Sequence, residues 1–186
     1  MLTEDELDPY FDSTRHDLFR LEQLAGYETG VESPRLRAYL AGEPYDPAGE
    51  PTAWYDQVQE WTDAGINFRK VHVVRSPLSP YLCFECEWSY TATERRGQRT
   101  YILDLAEISD PPELPDYDFW MFDERSVLRF VYDDAGGFVG AEPLPDDDVV
   151  RHVAYRDATL RAAVPFPAYW HQHPQYWREN WLANQG

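Results

Sequence analysis

The residues with the clearest chemical potential are two cysteines at C-x-x-C spacing, Cys83 and Cys86. This spacing is typical of redox and zinc sites, and on a helix the two sulfurs would share one face. A closed zinc site needs four ligands, and the sequence holds no second cysteine pair. Redox cysteines usually begin a helix, whereas this pair lies inside an apolar run. We therefore interpret both thiols as buried and reduced, without a metal.

The histidines offer a second possible metal site. His171 and His173 would present two imidazoles on one side of an extended segment. They lie between prolines in an aromatic tail, however, where packing is the more ordinary role. His16, His72 and His152 stand apart from any nucleophile or carboxylate motif, which favours surface or packing positions. We predict no metal ligand and no cofactor.

Two runs of aspartates have structural explanations. Asp146, Asp147 and Asp148 precede an apolar run and suit the start of a helix, while Asp133 and Asp134 precede Ala-Gly-Gly as in a hairpin turn. Neither run has the spacing of an EF-hand. P-loop, dinucleotide-binding, nucleophile-elbow and zinc-protease motifs are also missing from the sequence. The sequence carries no catalytic fingerprint.

Charge limits the partners of the protein. Asp and Glu outnumber Lys and Arg by 34 to 16, which gives a net charge of −18. Because nucleic-acid affinity rests largely on cations that contact phosphates, this balance disfavours direct binding to DNA or RNA. No apolar run approaches the roughly 20 residues of a membrane helix, and the first ten residues are acidic where a signal peptide is basic. With only two cysteines, the sequence predicts a cytoplasmic protein that does not contact a membrane.

Folding requires a core, and the composition supplies one. Residues are 43% hydrophobic and 16% aromatic over a length of 186, which is near the usual size of a single domain. No internal repeat and no long linker interrupts the chain. We predict one globular domain over residues 1–186, with a tail rich in proline and aromatic residues from about residue 165.

Helix signals dominate the first third of the chain. Thr3 and Glu6 form a capping-box pattern, and leucines at 18, 21 and 24 suggest a helix over residues 13–26. Ser33 and Pro34 fit the start of a helix over 34–41. Apolar spacing after Thr52 predicts an amphipathic helix over residues 52–65. The N-terminal third is therefore predicted to be helical.

Strand signals follow. Residues 66–74 and 100–105 have the composition of strands, and residues 118–144 predict a three-stranded antiparallel meander. Residues 80–90 are ambiguous, because Ser79 and Pro80 suggest a helix start while apolar residues also alternate as in a strand; we favour the helix. A helix from Val149, packed on the sheet, completes an α+β fold. The tail carries Trp170, Tyr176, Trp177 and Trp181 as a possible apolar docking surface.

Six segments of the sequence also look familiar: FRLE (19–22), YLAGEP (39–44), VHVVRSPLSPYLCFE (71–85), DFWMFD (118–123), YDDAGGFVGAE (132–142) and YRDATLRAAVPF (155–166). Together they resemble an actinobacterial family of unknown function whose members are encoded beside helix-turn-helix regulators. The resemblance implies a regulatory neighbourhood and supplies no catalytic residue. The polar residues of these and adjoining segments are the candidate ligand-binding residues: Arg20, Glu22, Arg69, Ser79, Tyr81, Glu85, Asp118, Trp120 and Arg156.

Three hypotheses of function follow. The first is a regulatory protein–protein interaction module whose acidic surface mimics DNA toward a helix-turn-helix regulator. The second is an enzyme or small-ligand sensor with a polar pocket between the N-terminal helices and the sheet, using Arg20, Arg69, Tyr81 and Glu85. The third is a metal-dependent protein centred on the cysteines or histidines. The acidity also has a plain alternative explanation, which is solubility.

Overall fold

A seven-stranded mixed sheet forms the centre of the computed structural model, which describes residues 1–28 and 32–183. The strand order is β6-β5-β4-β1-β2-β3-β7. The central strands β1, β2 and β3 are parallel, and every other neighbouring pair is antiparallel. The strands are β1 (Asp17–Glu22), β2 (Asn67–Val74), β3 (Arg99–Asp104), β4 (Phe119–Phe122), β5 (Ser126–Tyr132), β6 (Phe138–Pro143) and β7 (Val164–Pro165).

Helices cover both faces of this sheet. In the described residues, no helix is long and apolar enough to cross a membrane. The helices are α1 (Asp8–Ser13), α2 (Glu32–Leu40), α3 (Thr52–Asp63), α4 (Pro80–Phe84), a π-helical segment (Glu85–Tyr90), α5 (Thr91–Glu94), α6 (Val149–Ala162), α7 (Phe166–Gln172) and α8 (Arg178–Ala183). Short 3₁₀ turns lie at Glu4–Glu6, Pro47–Gly49, Asp146–Asp148 and Pro174–Tyr176.

The two faces are covered by different parts of the chain. The connections between the parallel strands carry α2 to α5, and these helices cover one face together with α1 and α7. On the opposite face, Val149 and Val153 of α6 pack against residues of β1, β2, β4 and β5. The predicted helix on the sheet and the predicted meander over residues 118–144 are both confirmed. The observed class is a mixed α/β domain.

The helix predicted over residues 13–26 is wrong. Residues Asp17–Glu22 form β1, which lies between β2 and β4 in the middle of the sheet. Leu18, Phe19 and Leu21 are fully buried because helices cover the strand on both faces. A strand buried on both faces has no need to alternate apolar and polar residues, so leucine spacing alone misled the prediction. The N-terminal third is consequently a mixture of helix and strand.

The other predicted elements in the first half of the chain agree with the structure. The helices predicted over 34–41 and 52–65 correspond to α2 and α3, and the strand over 66–74 corresponds to β2. The Glu6 carboxylate accepts a hydrogen bond from the Thr3 N–H at 2.8 Å, as a capping box requires. The predicted capping side chain of Ser33 lies outside the described residues, as does the side chain of Trp181.

The ambiguous segment after Ser79 is helical. The Ser79 hydroxyl accepts a hydrogen bond from the Leu82 N–H at 3.1 Å, which caps α4. The helix then widens into the π-helical segment Glu85–Tyr90 before α5. π-Helical turns occur mostly as single turns inside α-helices and are frequent at functional sites. This turn lies over the sheet face that α2 to α5 cover.

Both edges of the sheet are partly paired. On the outer side of β6, Leu2 forms an antiparallel bridge to Ala141, and Glu28 forms a parallel bridge to Gly137 in the turn before β6. At the other edge, the two-residue strand β7 pairs with β3 and ends in Pro165. Because proline cannot donate a ladder hydrogen bond, β7 presents an incomplete edge.

Candidate functional site

Six polar or amphipathic side chains lie together in the middle of the sheet, on the face covered by α2 to α5. Strand register places Arg20 of β1 between Trp120 of β4 and Lys70 of β2. Two residues further along the same strands, Glu22 of β1 lies opposite His72 of β2. Alternation along each strand turns these positions to the same face. We define the polar centre as Arg20, Glu22, Lys70, His72, Asp118 and Trp120.

Ion pairs hold the polar centre together. The Glu22 carboxylate lies 2.6 Å from Arg20 Nε and 3.1 Å from Lys70 Nζ. Burial acts to raise the pKa of Glu22, but the charges of Lys70, Arg20 and His72 outweigh it and lower this pKa to about 2. The Lys70 ammonium also lies 4.1 Å from the centre of the Tyr90 ring. Glu22 therefore stays ionised and links two cations.

Arg20 lies between aromatic rings at the outer end of the centre. Its guanidinium carbon is 4.9 Å from the ring centre of Trp120 and 5.3 Å from that of Phe130, and Nη2 donates to the Tyr132 hydroxyl at 3.2 Å. The Arg20 side chain keeps 15% of its surface exposed. Tyr27, Tyr81 and Tyr132 are half-buried, and the Tyr27 ring centre is 6.2 Å from that of Tyr81 and 5.3 Å from that of Tyr132.

A buried donor in the centre lacks an acceptor. The Trp120 side chain is 3% exposed, and its Nε1–H has no hydrogen-bond partner among the described residues. An unsatisfied buried donor costs about 1–3 kcal/mol, so native structures rarely keep one without a reason. Trp120 therefore provides a free hydrogen-bond donor beside the Arg20 guanidinium.

A loop over residues 23–28 closes the centre from one side. The Asp118 carboxylate accepts hydrogen bonds from the Gln23 N–H at 2.9 Å and from the Tyr27 hydroxyl at 2.5 Å. The Ser79 hydroxyl donates to the Ala25 carbonyl at 2.7 Å. Burial raises the pKa of Asp118 to about 6, although the positive charge of Arg20 opposes this effect. A carboxyl group that titrates near neutral pH thus fastens the loop.

His72 connects the same loop to the π-helical segment. Its Nε2 donates to the Leu24 carbonyl at 2.9 Å, and its Nδ1 accepts a hydrogen bond from the Tyr90 hydroxyl. The Leu24 carbonyl can only accept, so Nε2 carries a proton, and a neutral ring then leaves Nδ1 as the acceptor for the Tyr90 hydroxyl. Burial lowers the pKa of His72 to about 4, against the attraction of Glu22. The imidazole is therefore neutral at physiological pH.

The predicted candidate residues separate into groups. Arg20, Glu22, Asp118 and Trp120 belong to the polar centre, and Tyr81 lies at its rim. Glu85 is buried at the start of the π-helical segment; burial raises the pKa of Tyr90, and the charges of Glu22 and Glu85 raise it further. Ser79 caps α4 and is hydrogen-bonded to the loop 23–28, so its role is to position other residues.

Two of the predicted ligand-binding residues, Arg69 and Arg156, lie on the face of the sheet opposite the polar centre. Arg69 pairs with Asp17 at 2.5 Å, and Arg156 of α6 pairs with the same carboxylate at 3.3 Å and with Glu124 at 2.6 Å. Ion pairing fastens α6 to the strands there. The pocket hypothesis had grouped Arg69 with Arg20, but the alternation of β2 turns Arg69 away from the polar centre.

Sequence reasoning missed five members of the site and its surroundings. Lys70 and His72 alternate with Val71 and Val73, which is the pattern of a strand that places polar residues on one buried face. This alternation was the available signal. The remaining three left no local signal and lie in the loop 23–28, in the π-helical segment and at the end of β5: Tyr27, Tyr90 and Tyr132.

The cysteines and tail histidines do not form a common site. Cys83 and Cys86 are buried, and burial raises the pKa of the Cys83 thiol to about 12. His173 is buried and bonded to the Tyr169 carbonyl and the Glu107 carboxylate, whereas His171 is exposed on α7. Within residues 1–28 and 32–183, no three His, Cys, Asp or Glu side chains are grouped to hold a metal ion.

The geometry defines a class of protein, namely a mixed α/β domain with a buried ionic centre beneath a short loop. The chain belongs to the family described as a domain of unknown function (DUF6879), whose model matches residues 5–171. That range includes the whole sheet and every residue of the polar centre. No curated protein matches the chain.

Proposed function

We propose that this domain is a sensor that binds a small polar ligand with an anionic group at the polar centre. The observation that carries the proposal is the burial of four ionisable side chains, Glu22, Lys70, His72 and Asp118, in one connected group with the partly exposed Arg20 on a sheet face. Burying charges is costly, and an apolar core of similar volume is often as stable or more stable. Perturbed pKa values and converging polar groups in one place favour a functional role.

The chemistry of the centre favours an anionic group on the ligand. Arg20 is the partly exposed cation, the Trp120 N–H is the unused donor, and the hydroxyls of Tyr27 and Tyr132 lie beside them. A carboxylate or phosphate oxygen between Arg20 and Trp120 would satisfy that N–H. Entry requires the loop 23–28 to lift from Asp118, which couples binding to the position of the loop.

Thermal unfolding with a set of probes tests the proposal. The probes are inorganic phosphate and a series of mono-, di- and tricarboxylates, each at about 10 mM. A ligand that binds only the folded state raises the midpoint, and about 1 kcal/mol corresponds to about 2–4 °C for a chain of this length. We expect at least one probe to stabilise the wild type and to lose its effect in Arg20→Met.

Arg69→Met is the matched control, because Arg69 is also a strand arginine paired with a carboxylate but faces the opposite side. We expect it to keep the response to the probe. Equal loss in both variants, or no response of the wild type to any probe together with no co-purified small molecule in native mass spectrometry, would contradict the proposal.

A second proposal concerns a partner. We propose that the acidic surface docks on the basic face of a helix-turn-helix regulator in an actinobacterial cytoplasm and competes with its DNA. The arrangement of α1 and α3 supports this proposal. The Phe11 ring of α1 stacks on the Trp61 ring of α3 with 5.2 Å between ring centres, so two helices that contain no Lys or Arg lie side by side. Their exposed carboxylates, together with those of the preceding turn, are Glu4, Asp5, Glu6, Asp8, Asp12, Asp56, Glu60 and Asp63.

Salt dependence and charge reversal test this docking. Association with the regulator encoded beside the gene should weaken steeply between about 50 and 300 mM salt, since exposed charges are screened beyond about 8 Å at physiological ionic strength. Glu60→Lys with Asp63→Lys should weaken it further, whereas Asp110→Lys with Glu113→Lys in the proline-rich connector should have a smaller effect. Binding that is insensitive to salt, or a ternary complex with operator DNA, would argue against mimicry.

A further inference from the structure

A cleft separate from the polar centre lies where the C-terminal segment packs on the helical layer. It has a volume of about 470 Å³. The walls combine two indole rings with two carboxylates and one guanidinium, contributed by α7, by α8 and the residue before it, by the π-helical segment and by the turn after α2. The lining residues are Gly42, Glu87, Trp170, Trp177, Arg178 and Glu179.

The aromatic walls are held in place by the fold. Trp170 and Trp177 are half-buried, and the Trp177 Nε1–H donates to the Trp170 carbonyl at 2.9 Å. The Trp170 ring also stacks on Phe166 with 6.3 Å between ring centres. Indole faces carry negative electrostatic potential and attract organic cations more strongly than other aromatic side chains do.

The charge of the cleft favours the same kind of ligand. Its positive group, the Arg178 guanidinium, lies 5.3 Å from the ring centres of both Tyr39 and Trp88 and donates to the Glu43 carbonyl. Glu87 accepts a hydrogen bond from the Arg178 backbone N–H at 2.8 Å, and Glu179 is exposed at the rim. The cleft therefore has two carboxylates and one guanidinium, and that guanidinium already contacts other groups of the protein. The net charge of the cleft is negative.

We infer that this cleft binds a small organic cation with a methylated ammonium group, which contacts the two indoles and is balanced by Glu87 and Glu179. Methylated ammonium groups suit such a wall because they are weakly hydrated cations with an apolar surface. Strongly hydrated metal ions prefer oxygen ligands and would not use the indoles. The site is independent of the sensor function proposed for the polar centre.

Choline and its neutral isostere 3,3-dimethylbutan-1-ol provide the direct test. The two molecules share their shape and differ in charge, so calorimetric titration of the wild type with each isolates the contribution of the cation. We expect saturable binding of choline with a dissociation constant on the order of 1 mM, and at least about tenfold weaker binding of the isostere. Equal binding of both, or no saturable binding of choline, would overturn the inference.

Variants then locate the binding. Trp170→Leu and Trp177→Leu should each weaken choline binding about tenfold, whereas Trp54→Leu, an exposed tryptophan on α3, should leave it unchanged. Glu179→Gln keeps the fold intact because the side chain is exposed, and it should weaken binding several-fold. An unchanged affinity in Glu179→Gln and in both indole variants would refute the site, and so would binding of a trimethyllysine peptide without choline. Arg20→Met should bind choline normally, which separates this result from the sensor test.

Discussion

At the scale of single residues, two groups of the polar centre, His72 and Asp118, change the stability of the fold in opposite directions as the pH falls. Burial lowers the pKa of His72 from 6.5 to about 4, so its neutral form contributes stability above pH 6.5 that is lost as the pH falls toward 4. Burial raises the pKa of Asp118 from 3.8 to about 6, so its protonated form contributes stability at low pH that is lost as the pH rises through 6. Between pH 4 and 6.5 the two contributions largely cancel.

Asp118→Asn should make the contribution of His72 to stability measurable. Because the variant lacks the carboxyl group whose titration compensates that of His72, its free energy of unfolding should fall more steeply than that of the wild type between pH 6.5 and 4. The extra loss should be up to about 3 kcal/mol, as expected for roughly two pKa units at a buried site. Urea unfolding at several pH values measures it, with the exposed Asp134→Asn as the control. Parallel pH profiles for the wild type and Asp118→Asn would contradict this assignment.

The two cysteines give a second test at this scale. Because burial raises the pKa values of both thiols, neither is ionised at neutral pH, and only thiolates react rapidly with disulfide reagents. We expect an aromatic disulfide reagent to modify Cys83 and Cys86 slowly in the native protein and quickly in urea. The Cys83→Ser and Cys86→Ser double variant should fold. Fast modification of the native protein would indicate an exposed, reactive thiol.

At the scale of elements, the meander can be tested by paired substitutions. Phe130 of β5 is 9% exposed and packs with Leu128, whereas Val139 of β6 is 51% exposed. Phe130→Asp removes a core ring and buries a carboxylate among apolar side chains, which should cost several kcal/mol, enough to abolish folding. Val139→Asp should change stability by less than about 0.5 kcal/mol. Circular dichroism and thermal unfolding distinguish the two, and a folded, stable Phe130→Asp protein would refute this packing.

The contrast between α3 and β1 shows what the sequence could predict. Helix α3 lies on the surface, so its apolar face and polar face alternate with helical period, and the helix was predicted correctly. Strand β1 is buried on both faces, so its residues carry no period, and it was misread as helix. Four of the six residues of the polar centre were candidates from the sequence. Lys70 and His72 were missed although they alternate with valines, because that local pattern does not record the register of β1 with β2, which places them beside Arg20 and Glu22.

At the scale of the whole molecule, the net charge of −18 acts on stability as well as on partners. Mutual repulsion of surface carboxylates destabilises the compact state, and salt screens it. We expect the unfolding midpoint to rise when NaCl is increased from about 10 mM to about 150 mM, over which the screening length falls from about 30 Å to about 8 Å. Calorimetry with NaCl and KCl separates screening from specific ion binding. A midpoint that falls with added salt would show that buried and surface ion pairs outweigh the repulsion.

The bridges at the outer side of β6 have a practical consequence for recombinant work. Leu2 occupies the backbone N–H and carbonyl of Ala141 in this strand, and the Glu28 N–H donates to the Gly136 carbonyl in the turn before it. Unpaired strand edges recruit other chains and lead to polymerisation. An affinity tag or deletion that displaces Leu2 would free one end of β6, so an amino-terminal fusion should yield more high-molecular-weight material in size-exclusion chromatography than a carboxy-terminal one.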